Sequence, residues 1–440
     1  MSTLKRSLTL SSVVMFGLAY MTPIIVLGTF GIMADSTHGS VAGAYLLALV
    51  AMLLTARSYG VMAAEFPVAG SAYSYVRKAI SPKAGFLVGW AVLLDYLFLP
   101  MVIWLFGAVY LNSAFPQLPM ALWIIGFIVI TTAINIIGIK LANTVNYLMM
   151  LIQMLVLLAF VALALHYVWG DPGKSLFSLA PLYQAGVPHG LLLAGAAIAC
   201  YSFLGFDAVT TLTEETINPK QVIPRAIMLI TLLGGGIFVV SAYAVQLAHP
   251  GYQFVSTDAA AAEIAKNIGG DIFVSIFLIG LIIGQFASGL SAQASASRLL
   301  YAMGRDGVLP GALFGQLSAR FQTPVAAILL CGAVALLALL MDVTTSVSFI
   351  NFGAFLAFSC INLAVIAHFY LRRRSPAPRD FLNYLLLPAL GALADLWLLV
   401  SLDQKALTLG LVWLGLGTLY LAYLTGGFRR NPPEMDFSEA

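Results

Sequence analysis

Apolar runs of about 20 residues, the length a helix needs to cross a bilayer, follow one another through this chain almost without pause. No other feature restricts its fold so severely. Twelve such runs fall at 11–33, 41–64, 84–111, 120–138, 142–167, 188–213, 225–248, 271–301, 324–341, 345–370, 381–402 and 406–425. Of the 440 residues 61% are apolar and 9% charged, against about 25% charged in a soluble domain. So few charges cannot cover a water-facing surface. A soluble enzyme and a disordered chain are excluded, and a net charge of +3 without a basic block excludes a nucleic-acid binder. The expected fold is an all-α polytopic membrane protein.

The basic residues test the count of spans, because cytoplasmic loops collect Lys and Arg. With the N-terminus inside, the inner side receives Lys5, Arg6, Arg57, Arg77, Lys78, Lys83, Lys140, Lys220, Arg225, Arg298, Arg305, Arg320, Arg372, Arg373, Arg374, Arg379, Arg429 and Arg430. Only Lys174, Lys266 and Lys405 fall outside, so 18 of 21 lie on one side. One span more or fewer would scramble that division, so twelve spans with both termini cytoplasmic are expected. Lys5 and Arg6 imitate the start of a signal peptide. The apolar run behind them is long and lacks a small-x-small cleavage site, which predicts a first span that stays in the protein. The loops are short, with the longer outer connections at about 168–187 and 249–270.

Two spans are unsuited to an unbroken helix. The first reads GLAYMTPIIVLGTFG, with Gly17, Pro23, Gly28 and Gly31; the sixth reads CYSFLGFDAVTTLTEET, with Gly205 just before Asp207. Proline removes a backbone hydrogen bond and glycine weakens a helix by roughly 1 kcal/mol. Within a bilayer, the freed backbone groups survive only where protein or a wet cavity satisfies them. Spans one and six stand five apart, as an inverted repeat of five plus five helices requires. Interrupted spans at matched positions point to a transporter's binding site.

An ionisable group deep in a membrane span is costly and marks a candidate site. Asp95, Asp207 and Asp395 qualify, and no Lys or Arg lies at comparable depth. Such a carboxylate is neutralised by a proton or by a cationic ligand. Asp207, beside the break, is the first candidate and Asp95 the second. Asp395, in the eleventh span and outside the repeat core, is the weakest of the three, and Asp95 has the alternative of a hydrogen-bonded core residue holding neighbouring helices. Glu214 and Glu215 fall near the inner end of span six, within reach of Lys220 or Arg225 for a gate salt bridge. Tyr20, Trp90, Tyr96, Tyr201, Phe203 and Phe206 cluster near the carboxylates, and an ammonium over such rings gains about 0.5–2 kcal/mol.

Cys200, Cys331 and Cys360 lack paired spacing and read as small core residues. The histidines His38, His166, His189, His249 and His368 are scattered, so neither metal nor cofactor is expected. Ser288, Ser291, Gln293, Ser295 and Ser297 in span eight read chiefly as close-packing residues, with a sodium or substrate contact as the alternative. A catalytic set or a sizeable soluble domain, which a membrane enzyme or sensor would need, is missing.

The segments SPKAGFLVGWAVLLDYLFLP, SFLGFDAVTTLTEET with VIPRA behind it, SRLLYAMGRDGVLP and INFGAFLAF make the chain similar to the amino acid–polyamine–organocation superfamily. Within it the chain looks most like the bacterial putrescine importers, and the resemblance covers nearly the whole sequence. It implies a leucine-transporter-type fold of inverted repeats (11–167 and 188–370) with two peripheral helices (381–425), in a bacterial inner membrane. It also implies substrate between spans one, three, six, eight and ten. The substrate-binding positions it implies are Tyr20, Met21, Thr22, Pro23, Trp90, Asp95, Tyr96, Tyr201, Ser202, Phe203, Phe206 and Asp207, with Asp207 carrying the coupling proton. Two positions depart from the importers: Gly28 replaces an Asp ahead of TFG, and Gln293 replaces a His. The implied activity is proton-coupled import of a small amine or amino acid, putrescine first; an exchanger or exporter on the same fold is the alternative.

Overall fold

A computed structural model describes residues 6, 8–68, 71–137, 142–184, 186–213, 216–305, 307–318, 320–321, 323–373 and 378–433. Lys5, Lys140, Glu214, Glu215 and Arg374 lie outside the described residues, so the gate salt bridge expected of the two glutamates does too. The elements are α1 (Leu10–Met21), α2 (Ile25–Gly28), α3 (Phe30–Thr37), α4 (Val41–Glu65), α5 (Ser71–Ala79), α6 (Pro82–Ala114), α7 (Met120–Ile137), α8 (Ala142–Trp169) and α9 (His189–Ala199). They continue with α10 (Pro219–Ala248), α11 (Ala260–Arg305), α12 (Gly311–Phe314), α13 (Val325–Ala335), α14 (Val343–Val365), α15 (Pro378–Phe381), α16 (Leu387–Val400) and α17 (Gln404–Leu424). Among the described residues no strand forms; only Leu8 and Thr216 pair as an isolated bridge.

Among the described residues eleven helical segments are long and apolar enough to cross a membrane, and Val325–Leu339 is a shorter apolar helix where the ninth span is expected. Their outward faces are apolar: Val129 and Leu158 are 59% and 58% exposed, and Leu151, Val240 and Leu411 likewise face outward. Such faces suit lipid. Gly270, with φ 72, interrupts α11. Residues 260–269 therefore form a helix of their own inside the stretch expected as a loop.

Both expected breaks are present. Thr22 precedes Pro23, which disfavours the helical region for the residue before it, and adopts a left-handed conformation with φ 50 and ψ 77. The helix resumes at Ile25 and is interrupted again at Thr29, whose hydroxyl donates to the carbonyl of Ile25 (3.2 Å). In the sixth span α9 ends at Ala199, a tight turn covers Cys200–Phe203, and Gly205 takes φ +109. No α-helix follows the break; Ala208–Leu212 forms a 3-10 turn instead. The reason lies in the threonines. The hydroxyls of Thr210, Thr211 and Thr213 each donate to the carbonyl three residues back, a local bonding that competes with the helical ladder.

The two breaks face each other. A Cβ on Gly205 would lie 2.1 Å from Cδ1 of Tyr20, and one on Gly17 would meet Ile230 and Val209. Small residues bring the other helices equally close: Gly235 of α10 against Leu49 of α4, Gly289 of α11 against Trp104 of α6, and Gly353 of α14 against the Ala91 carbonyl. The long α6 thus runs through the middle of the bundle.

Asp342 caps α14, accepting from the N–H and the hydroxyl of Thr345 (both 2.8 Å). Burial pushes its carboxyl up, but the two Thr345 donors outweigh this and hold it below the usual carboxylate value. A carboxylate held low stabilises the fold above its ordinary pKa, and that contribution is lost as pH falls. Asp342→Ala is expected to cost about 1 kcal/mol near neutral pH, with the difference from wild type fading below about pH 4. Thermal unfolding of the two proteins in detergent across pH checks this.

Candidate functional site

Four elements meet at the break in the first span. On α6, Leu99 and Ile103 stand one turn apart and so share a face; on α11, Gln285 and Ser288 share one for the same reason. With Tyr20, Met21, Thr22 and Ile25 from the first span, and Tyr201 and Leu204 from the sixth, they line a small cavity. Asp95 falls on the α6 stripe one turn before Leu99. It lies within electrostatic reach of Tyr20, Tyr96 and Tyr201. It is half-buried, and its Oδ1 is buried with no hydrogen-bond partner among the described residues. A carboxyl group with no cation beside it and three tyrosines within reach is a place for an ammonium.

Asp207 interacts with Tyr20 as well, and neither carboxylate is among the residues that line the cavity. Asp207 is 7% exposed and accepts from the hydroxyl of Ser71 (3.2 Å), the first residue of α5. Tyr59 and Tyr75 lie within electrostatic reach of it. The carboxylate therefore sits where the sixth-span break meets a short amphipathic helix bearing Arg77 and Lys78.

The remaining expected residues divide. Tyr20, Met21, Thr22 and Tyr201 form cavity wall, and Tyr96 joins Asp95 and Tyr20 beside it. Pro23 is buried within the break. Ser202 faces another way: its hydroxyl pairs with that of Tyr45 (3.0 Å), which pairs in turn with Thr29 (2.9 Å). This chain of hydroxyls ties the second interruption of span one to span six. Phe203 packs edge-on against Phe238 of α10, and Phe206 against Tyr59 and Phe358. Trp90 leaves the cavity altogether. It stacks on Trp413 of α17 at 5.0 Å, and each indole N–H donates to the other residue's carbonyl (2.9 Å). Asp395 is fully buried and accepts from Thr55 (2.8 Å) and Asn362 (2.9 Å), joining α4, α14 and α16.

The two departures from the importer pattern separate in space. Gln293 lies in a helix interface, accepting from Asn135 (2.7 Å) and donating to Thr132 (2.8 Å). Gly28 lies beside the cavity, where a Cβ would be 3.9 Å from Nε2 of Gln285. Gln285 itself escaped the sequence reading. Its signal is one amide in the apolar run LIGLIIGQF, three residues before Ser288. At the basic end of the bundle Glu65 pairs with Arg373 and lies 3.4 Å from Nε2 of His368. Among the described residues no group of three or more His, Cys, Asp or Glu could hold a metal ion.

The amino acid permease family profile matches residues 12–398. The chain is 40% identical over 436 residues to the low-affinity putrescine importer PlaP of Escherichia coli (strain K12), covering 98% of this chain and 96% of that protein. It is 27% identical to the branched-chain amino acid permease BcaP of Bacillus subtilis (strain 168), covering 96% and 93%. Against the cationic amino acid transporter 4 of Mus musculus the identity is also 27%, covering 86% and 62%.

Proposed function

We propose that this chain, which belongs to the amino acid permease family, is a secondary transporter that imports a small amine or amino acid, putrescine first among them, coupled to protons. The observation that carries this reading is the unpaired Asp95 carboxylate beside an aromatic-walled cavity at the junction of two broken spans. End-to-end similarity to a protein named as a putrescine importer supports the choice of substrate. One ammonium is held by Asp95 and the faces of Tyr20 and Tyr201; backbone carbonyls freed at the breaks supply further acceptors.

The chain spans the bacterial inner membrane twelve times, with Val325–Leu339 as the short ninth span and both termini in the cytoplasm, where the basic residues gather. Residues 11–167 and 188–370 form the inverted repeats, and 381–425 the two flanking helices. The non-helical residues at Thr22–Pro23 and Leu204–Asp207 act as hinges for alternating access. Three connections at the basic end must part for the cavity to open inward: Asp207 with Ser71, Glu65 with Arg373 and His368, and the N–H of Ile217 with the Leu8 carbonyl (2.9 Å). Protonation of Asp207 loosens the first, which links proton entry to the motion of α5 against span six.

Uptake of labelled putrescine into proteoliposomes tests this. Accumulation is expected to fall at least tenfold with a protonophore and to persist when sodium is replaced. A strict sodium requirement would move the coupling site to the hydroxyls of Ser288, Ser291, Ser295 and Ser297.

A further inference from the structure

Asp395 of α16, Asn362 of α14 and Thr55 of α4 are fully buried, and their polar atoms do not match if the carboxyl is an ion. Oδ2 of Asp395 accepts twice, from the Thr55 hydroxyl (2.8 Å) and from Nδ2 of Asn362 (2.9 Å). Its Oδ1 has no partner among the described residues, and neither has Oδ1 of Asn362. Turning the Asn362 amide over does not help. Its nitrogen also donates to the Phe358 carbonyl (3.2 Å) and lies 3.0 Å from the Thr55 hydroxyl, and an oxygen in its place could not bond to that carbonyl. Two buried acceptors are left over, and both lack a donor.

Both leftover oxygens belong to one contact. A Cβ on Gly391, one turn before Asp395 on α16, would stand 2.7 Å from Oδ1 of Asn362, so that oxygen is turned toward α16. A single hydrogen on Oδ1 of Asp395 satisfies the pair. A protonated carboxyl has one O–H to donate. A carboxylic acid and a primary amide close a ring of two parallel hydrogen bonds, of which Nδ2 to Oδ2 is one. Burial favours the same outcome, since an ion without a counter-charge is far costlier to bury than a hydrogen-bonded neutral group. No Lys or Arg pairs with Asp395 among the described residues. Arg57, two residues from Thr55 on α4, donates to the backbone carbonyl and Oδ1 of Asn383 instead (2.9 and 2.8 Å). Tyr59 and Cys200, which are within electrostatic reach of Asp395, offer no positive charge.

We propose that Asp395 is a second proton-binding site, separate from Asp207: a resident carboxylic acid whose Oδ1–H donates to Oδ1 of Asn362 and is not exchanged during transport. It joins the flanking helix α16 to α4 and α14 without placing a charge between them. The absence of charge has a use, which rests on the reading of Asp207 as the coupling residue. Tyr59, one turn from Thr55 on α4, lies within electrostatic reach of both Asp207 and Asp395. A fixed anion at Asp395 would oppose the ionised form of Asp207, whereas a neutral acid leaves Asp207 free to gain and lose its charge.

Infrared difference spectra of purified full-length protein in lipid read the proton directly. Wild type minus Asp395→Asn is expected to show a carboxylic-acid carbonyl band at neutral pH that persists in mildly alkaline buffer. Wild type minus Asn362→Ala is expected to show the same band moved to higher frequency, because the O–H has lost its acceptor; this reading does not require the Asp395 variant to fold. Asp395→Asn puts an N–H where the acid has its O–H, so its thermal midpoint is expected within about 2 °C of wild type. Asp395→Leu leaves Thr55 and Asn362 unsatisfied and is expected to fall by about 5 °C or more. Accumulation driven by a pH gradient is expected to stay within about twofold of wild type in Asp395→Asn. Absence of the acid band from both difference spectra shows an ion and overturns the assignment. Loss of accumulation in Asp395→Asn with counterflow intact shows a proton that is exchanged, and overturns it equally. Undiminished accumulation by Asp207→Asn removes only the coupling role of Asp207; the acid at Asp395 stands or falls on its own band.

Discussion

Asp207→Asn is expected to abolish pH-gradient-driven accumulation, a loss of at least 100-fold, while folded protein remains in the membrane. The Asn side chain has nearly the same volume, and its amide oxygen can still accept from Ser71, which donates to Asp207 at 3.2 Å. What it cannot do is take up and release a proton. A transporter so altered should still exchange substrate down its own gradient, because the Asp95 cavity is untouched. The measurement is therefore double: accumulation under an imposed pH gradient, and counterflow without one, in the same proteoliposomes. Undiminished accumulation would remove Asp207 from the coupling mechanism. Loss of counterflow together with accumulation would make the residue structural.

The second large effect is expected from Gly205→Ala. At φ +109 the backbone of residue 205 lies where an L side chain is disfavoured, at a cost of about 1–3 kcal/mol. The added Cβ would also stand 2.1 Å from Cδ1 of Tyr20. Relief requires the break in span six or the Tyr20 ring to move, and Tyr20 is cavity wall. Uptake should fall about 100-fold or more, with a thermal midpoint lower by a few degrees. Gly236, on the same bundle but with open space around its Cβ position, is the control: Gly236→Ala should leave both nearly unchanged. Wild-type uptake by Gly205→Ala would show that the contact between the two breaks is not needed for transport.

The sequence was informative wherever the cause is local. Pro23 bars helical geometry at Thr22, and Gly205 with the threonines behind it unwinds span six; each effect acts within four residues of its cause, so it can be read from the chain. The extent of the apolar runs followed likewise from composition, and the expected and observed bounds differ by a few residues through most of the chain. The ninth span agrees to within two residues as well, Val325–Leu339 against 324–341, although its helix is the shortest of them.

Which side of each helix meets the cavity was another matter. In water an apolar stripe marks the buried face, but lipid is as apolar as a protein interior, so a membrane helix carries little of that signal. Trp90 and Asp95 share α6 and both looked suited to a ligand. Trp90 turns to Trp413 of α17 and Asp95 toward Tyr20 and Tyr201, a division made by a helix more than 300 residues away in the chain. Asp395 found Thr55 and Asn362 in the same way. Gln285 became a site residue only when α11 was laid beside α6 and the first-span break. The sequence by itself determined where the long apolar segments run and the two places where the backbone must open, since each depends on neighbours in the chain. The tertiary structure alone decided which polar side chains are left without partners around one cavity, since that depends on which helices stand next to one another.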